Sequence, residues 1–510
     1  MSIDFLSQLE NTLVNSSANV SITENGAVGY KTTGRKLLDL NFAVSSLRNK
    51  SEAEIQNMFE SALAQDVDTA IVWLFFARDI RGGLGERRTF RVCINLLARE
   101  FPQKLRKVLP LVAEYGRWDD LFCLMGTKVQ NDVVALIDAQ LKADIAGMGK
   151  NESISLLAKW LPSVNASSKE TRRMGLLIAS KLNLNARTYQ RLLSKMRKYL
   201  EVVEQKMSAG EWGEINYEHV PSRANLNYNS AFLRHDEERR REYLGKLEKG
   251  EAKINSSVLF PHDIVHKYMQ GGWRCSVFQD QAIEAMWKAL PNTVENGEGT
   301  IVVADGSGSM TSKVGDTSVS ALEVANALAI YFAERLSGPY KDKYITFSMK
   351  PQLVNLAGST TLNGKLQTAL RHNEVADTNI EAVFDLILAT AVKNHLKQEE
   401  MPKNVLVISD MEFNSCVRSN SYGMDKALFK VIEAKYKNYG YKLPRLVFWN
   451  VNSRTGTIPV KENEMGVALV SGFSPNVAKM VMSGALDPMD ALMETLNAPR
   501  YEPVRKALAA

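Results

Sequence analysis

The hydrophobic period of this chain changes near residue 300, and that change divides it into two kinds of architecture. Over residues 37–290 apolar side chains recur at three- and four-residue spacing, as in 71–77, 90–97, 108–112 and 121–125, with few alternating β-branched runs. Such spacing predicts helices of roughly ten to eighteen residues, paired in a curved array. After residue 300 short apolar runs take over, at 301–304, 343–348, 404–408, 445–450 and 467–470, and helical patterns at 321–330 and 380–388 alternate with them. Alternation of this kind predicts a parallel sheet with helices on both faces. A chain of 510 residues is also too long for one ordinary core. The expected organisation is multidomain: an N-terminal lead over 1–36, an all-α helical-repeat module over 37–291, a polar linker over 292–299, an α/β domain over 300–488, and a C-terminal helix and tail over 489–510.

The first strand of the second half runs into Asp305–Gly306–Ser307–Gly308–Ser309. One carboxylate and two hydroxyls are thereby placed at the carboxyl end of a strand, where open α/β sheets build ligand sites. Hard oxygens of this kind suit Mg²⁺, and the interleaved glycines let the backbone approach an ion closely. Other loop chemistries fit poorly. The register is not Gly-x-Ser-x-Gly, no Gly-Lys-Ser/Thr follows, and Ser307 stands where an aspartyl-phosphate phosphatase would carry its second Asp. A tight glycine turn without a ligand is the alternative. Asp410 again ends an apolar strand, and Thr378 just precedes a helix, so both are placed to converge on Asp305. Thr378 has a second reading as a helix N-cap, and Asp377 competes with it.

Asp305, Ser307, Ser309, Thr378 and Asp410 together resemble the von Willebrand factor A domain and its metal-ion-dependent adhesion site, over roughly residues 300–488. The resemblance implies a Rossmann-like α/β domain holding Mg²⁺, with an open ion position that accepts a partner's carboxylate. It implies adhesion or assembly, not catalysis. No Ser/His/Asp or Cys/His set accompanies the site, so an enzyme is not expected.

Four cysteines, Cys93, Cys123, Cys275 and Cys416, are scattered without CxxC spacing, which argues reduced thiols and a cytoplasmic setting. His262 and His266 stand at helical spacing without an intervening Glu, and read as a partly exposed helix face. The opening Met1–Ser2–Ile3–Asp4 has no basic and apolar leader, and no window offers roughly 18 uninterrupted apolar residues, so no membrane partner is expected.

Charge is concentrated in one place. Residues 169–206 carry ten Lys or Arg against three Glu, a local net charge of +7, whereas the whole chain carries +6. Arg187, Arg191, Lys195 and Lys198 fall on one helical face with no acidic neighbour, which is the footprint of an external polyanion. A solvated helix face is the alternative. Two glycine- and arginine-bearing loops, around Arg81–Gly85–Arg87–Arg88 and around Gly116–Arg117–Trp118, suit phosphate contacts. In their other reading Asp79, Glu86, Asp119 and Asp120 pair with the arginines and pin helix ends. The candidate RNA-binding set is Arg81, Arg87, Arg88, Arg117, Lys169, Arg172, Arg173, Arg187, Arg191, Lys195, Arg197 and Lys198.

A helical-repeat module followed by an A domain resembles the Ro autoantigen family, whose HEAT-like helical part is the TROVE module, and looks closest to an uncharacterised plant, bacterial and phage relative of it. The resemblance rests on Arg78–Asp79–Ile80–Arg81–Gly82–Gly83, Tyr115–Gly116–Arg117–Trp118–Asp119–Asp120, Lys159–Trp160–Leu161–Pro162–Ser163, Val220–Pro221–Ser222, Phe260–Pro261–His262–Asp263–Ile264 and the Asp305 loop. It implies a ring of helices closed by the A domain, in a non-enzymatic ribonucleoprotein scaffold binding small structured or single-stranded RNA. The other function class compatible with the sequence is a metal-dependent protein–protein assembly factor, of phage origin and without RNA binding.

Overall fold

A computed structural model describes residues 19–24, 28–269, 274–294, 297, 299–347, 350–373, 379–413, 428–459, 467–478, 480 and 487–510. It divides into two compact units: Met1–Ala70 with Phe260–Ala498, and Ile71–Leu259 with Pro499–Ala510.

The first unit is built on a sheet. A short hairpin, β1 (Val20–Ile22) with β2 (Val28–Tyr30), precedes it. The sheet itself comprises β3 (Thr300–Asp305), β4 (Lys343–Phe347), β5 (Gln352–Asn355), β6 (Asn404–Ser409), β7 (Arg445–Asn450) and β8 (Val467–Ser471), in the order β5-β4-β3-β6-β7-β8. All neighbours pair in parallel except β4 and β5. The sheet is therefore mixed, where the alternation of elements predicted a parallel one. Only a few residues join β4 to β5, too few for a crossover, so the chain can only double back. β6, β7 and β8 are buried along nearly their whole length, which is why they read as continuous apolar runs.

Helix Ala321–Arg335 starts at a capping box of Ser320 and Glu323 and is buried from Ala321 through Ala333. A helix apolar on every side has to be covered on every side. It lies on β3 and is covered by helix Pro261–Tyr268. Helix Lys36–Ala43 packs against β8. Just after it, the Ser45 hydroxyl donates to Asn450 O at 3.1 Å, Ser471 Oγ donates back to Ser45 Oγ at 2.8 Å, and Asn450 Nδ2 donates to Phe42 O at 2.9 Å.

These contacts explain why the units do not divide at residues 37 and 292. Residues up to Ala70 and from Phe260 onward cluster with the sheet. Thr293, inside the expected linker, is held there, with Oγ1 donating to Pro475 O at 2.8 Å and N–H donating to the Tyr331 hydroxyl at 3.1 Å. Residues 295, 296 and 298 of that linker lie outside the described residues.

The second unit is helical, with helices such as Arg87–Glu100, Gln130–Gly149, Lys169–Lys181, Ala186–Tyr199, Ser222–His235 and Glu237–Lys249. Trp73, Phe75, Phe76, Tyr115 and Leu121 form part of its core. The chain's last segment belongs here, not with the sheet. Tyr501 stacks on Tyr115 at 5.8 Å and meets Phe76 edge-on, and helix Glu502–Ala509 packs on Pro102–Val108. Among the described residues no helix is long and apolar enough to cross a membrane.

Candidate functional site

β3 and β6 are neighbours at the point where the sheet's connections diverge, β3 leading to β4 on one side and β6 to β7 on the other. A crevice opens outside the carboxyl ends of such a strand pair. Asp305 ends β3 there and Asp410 directly follows β6; both are buried. The Ser307 amide donates to Asp305 Oδ1 at 2.9 Å, and the Ser409 hydroxyl donates to Asp305 Oδ2 at 2.7 Å. Ser307 Oγ and Ser309 Oγ lie 3.0 Å apart. Four of the five expected metal residues are thus gathered by two strand ends and one loop. The fifth, Thr378, lies outside the described residues, as does Asp377. The N-cap of the following helix is Asn379, not Thr378: its Oδ1 accepts from the Ala382 amide at 3.0 Å.

Two buried carboxylates this close resist ionising together. Burial, and then the Asp305 carboxylate, push Asp410 up to about 7, with the Ser309 hydroxyl pulling the other way. Burial likewise raises Asp305, against the hydrogen bonds from Ser409 and Ser307. Asp410 Oδ2 is buried and accepts no hydrogen bond, and Nη2 of Arg454 stands 3.5 Å from it. Arg454 also pairs with Glu24 at 2.5 Å. Glu412, fully buried, accepts from the amides of Glu24, Arg454 and Thr455 at 2.8, 2.9 and 2.9 Å, so it fastens the hairpin end and the 454–455 segment beside the site. An orphaned carboxylate oxygen, a second carboxylate and two adjacent hydroxyls form a donor set that fits a hard divalent cation. Among the described residues no cluster of three His, Cys, Asp or Glu side chains offers a softer or all-carboxylate alternative.

Sequence reasoning named Asp410 but passed over Ser409, the hydroxyl that links the two strands. A Ser immediately before a strand-terminal Asp was the available signal. Arg454 and Glu24 had none, being brought to the site from far along the chain.

The candidate RNA residues fall into two groups. Lys169, Arg172, Arg173, Arg187, Arg191, Lys195 and Lys198 are exposed, and their side chains have no hydrogen bond or ion pair among the described residues. Helix Ala186–Tyr199 is capped by Asn185 and buries Tyr189, Leu193 and Met196, which leaves its basic stripe facing outward. Lys169 opens its helix, where the dipole disfavours a cation by about 0.3–1 kcal/mol, and Arg172 and Arg173 follow it.

Three other candidates are engaged internally. Arg197 donates to Ala158 O, Ser163 Oγ and Leu161 O at 2.8, 2.7 and 2.6 Å. Arg117 pairs with Asp119 at 3.0 Å and lies 4.0 Å over the Trp160 ring. Arg81 Nη1 donates to Glu114 O at 3.1 Å. Arg88 is exposed. Arg87 is exposed, and its side chain has no hydrogen bond or ion pair among the described residues.

Within the two arginine- and glycine-bearing loops, Arg78, Asp79, Arg117, Asp119 and Asp120 serve as scaffolding. Arg78 is buried against Asp120 at 2.7 Å, Arg91 holds both Asp119 and Asp120, and Asp79 pairs with Arg500. A Cβ on Gly83 would sit 2.0 Å from Phe76 O, so this glycine is required by packing and not by a phosphate. His262 is buried against Phe260 and Phe473, whereas His266 is partly exposed as its spacing suggested and bridges Glu323 and Ser318.

Two family models match the chain: the domain of unknown function DUF2828 over residues 23–136 and 127–301, and the domain of unknown function DUF7788 over residues 299–502. "Uncharacterized protein L728" of Acanthamoeba polyphaga mimivirus is 31% identical over 531 aligned positions, covering 96% of this chain and 89% of the viral protein.

Proposed function

The chain belongs to the family described as domain of unknown function DUF2828, whose model spans more than half of it, and within that family we propose that it is a non-enzymatic RNA-binding scaffold of the Ro/TROVE type. The carrying observation is the exposed stripe of Arg187, Arg191 and Lys195, with Lys169, Arg172 and Arg173 nearby, none of them neutralised among the described residues. Like charges on one helical face repel, and a polyanion that releases its counterions relieves the repulsion. Small structured or single-stranded RNA is the proposed partner.

The sheet-bearing unit is read as a von Willebrand A-type domain. Asp305, Ser307, Ser309 and Asp410 would hold Mg²⁺, with Thr378 as a further expected ligand. A bound Mg²⁺ would supply an open coordination position for a carboxylate of a protein partner. A cytoplasmic setting belongs to this reading, supported by the free thiols of Cys93, Cys123 and Cys275. Should the stripe have no role, the orphaned Asp410 oxygen favours the second reading, a metal-dependent protein assembly factor.

Filter binding of total cellular RNA across a salt series tests the proposal. Reversing Arg187, Arg191 and Lys195 to Glu should flatten the log–log salt slope by about two to three units while circular dichroism stays unchanged. An unchanged slope in the folded triple variant would overturn the RNA reading.

A further inference from the structure

The helical unit contains a cavity of about 1490 Å³ lined entirely by its own residues. Eight of the lining residues are Lys or Arg and four are Glu. Most of the cations are already engaged. Lys159 lies 3.9 Å from Glu204 and Lys206 lies 3.7 Å from Glu201, while Arg81, Arg117 and Arg197 make the internal contacts described above. Arg87 and Lys198 line the same cavity, and their side chains have no hydrogen bond or ion pair among the described residues. Trp118 lines it too, and its ring meets no other described ring or cation, whereas the Trp160 ring is covered by Arg117.

Each unengaged group asks for a different kind of ligand atom. A guanidinium with free donors in an electropositive neighbourhood calls for an anion with several oxygens, which a phosphoryl group presents bidentately. An uncovered indole face calls for a flat π-system. The four glutamates oppose an extended polyacid that would have to run past them. A ligand with its charge gathered at one end and a planar ring at the other meets all three conditions. We propose that this cavity binds a nucleotide, its phosphoryl group held by Arg87 with Lys198 as the second cation, and its base laid against Trp118.

The cavity exceeds the roughly 300–1,000 Å³ of ordinary small-molecule clefts, so it admits a nucleotide either free or as one unit of a single strand whose other phosphates stay outside, clear of the glutamates. Lys198 also ends the exposed basic stripe on helix Ala186–Tyr199, so the stripe runs to the cavity's lining. The inference does not rest on the RNA reading, because a free nucleotide would satisfy the site.

Isothermal titration of the full chain with adenosine monophosphate, and separately with a short oligoadenylate lacking terminal phosphates, tests it. Loss of one charge-assisted contact in Arg87→Ala should weaken binding about tenfold or more. Trp118→Ala should weaken it similarly and Trp118→Phe should restore it, while adenosine and inorganic phosphate alone bind more weakly than the monophosphate. Arg87-dependent binding of the monophosphate assigns the site to a free nucleotide, and Arg87-dependent binding of the oligomer alone assigns it to a strand. Binding of neither probe, or equal binding of both by wild type and an Arg87→Ala chain with unchanged circular dichroism, overturns the proposal. Reversal of Arg187, Arg191 and Lys195 leaves Arg87, Lys198 and Trp118 in place, so failure of the stripe and failure of the cavity are read separately.

Discussion

The Ser409 hydroxyl donates to Asp305 Oδ2 at 2.7 Å while accepting from the Met411 amide at 3.0 Å, so one small side chain ties the end of β6 to the end of β3. Met411 adopts φ 63°, a left-handed conformation that costs a non-glycine residue about 1–2 kcal/mol. That turn carries Asp410 and Glu412 onto the rim of the sheet. Strain of this kind persists only where surrounding bonds hold it.

Ser409→Ala should therefore loosen the site without dismantling the sheet. Mg²⁺ affinity measured by calorimetry should fall about tenfold, as for loss of other groups that orient a ligand. Urea unfolding should report a loss of about 1–2 kcal/mol for the missing hydrogen bonds. Equal Mg²⁺ titrations for wild type and variant would remove Ser409 from the site.

Asp410→Asn should split stability from metal binding. Asp410 is pushed up to about 7 by burial and by Asp305. In the metal-free chain the folded state therefore holds a proton that the unfolded state releases in the ordinary carboxylate range. Its contribution falls as pH rises from about 4 to 7. A neutral amide removes the penalty, so the metal-free variant should melt above wild type at pH 8, and the rise in melting temperature on adding MgCl₂ should vanish. For wild type, Mg²⁺ affinity should climb with pH and level off above about 7, because the ion needs the ionised carboxylate. A variant that keeps the Mg²⁺-induced rise would count against Asp410 as a ligand.

His266 gives a pH signature of opposite sign. The hydrogen bond between its Nδ1 and Glu323 Oε2, at 2.9 Å, raises it above 6.5, outweighing burial. Its contribution is complete below the unfolded value and disappears as pH rises through the folded one. His266→Gln should lower the denaturation midpoint clearly at about pH 5.5 and little at about pH 8.5. A gap that is the same at both pH values would show that the ion pair is not the cause.

Asp79 depends on Arg500. The guanidinium donates to its two oxygens at 2.7 and 2.9 Å, the Tyr501 hydroxyl adds a bond at 3.3 Å, and Asp79 itself is fully buried. Arg500→Ala strands a buried charge. The helical unit should lose on the order of 2–3 kcal/mol, below a fully buried pair because Arg500 keeps about a third of its side chain in water. Deleting residues 499–510 should cost more, since Tyr501 leaves with them. Unchanged stability on urea unfolding of the point variant would contradict this account.

Residues 301–305 and 404–410 could be read from the sequence because burial on both faces of a sheet demands an unbroken apolar run, and a polar residue at its end stands out. The stripe on helix Ala186–Tyr199 was equally legible, since Asn185 caps it and its apolar positions leave the cations one face. The short, half-exposed β5 was not, because so brief an alternation resembles a loop. The loops quoted for the family resemblance drew attention through their arginines, but sequence cannot tell an arginine that meets a ligand from one that meets a distant aspartate. Arg117, Arg197 and Arg500 were decided by partners brought close in space. The hydrophobic period and the positions of strand ends and helix caps are local properties, set by near neighbours in the chain. Which cation stays unpaired, as at Arg87, and which carboxylate oxygen is left without a hydrogen bond, as at Asp410 Oδ2, depends on every group that folding brings near, and only the tertiary structure decided it.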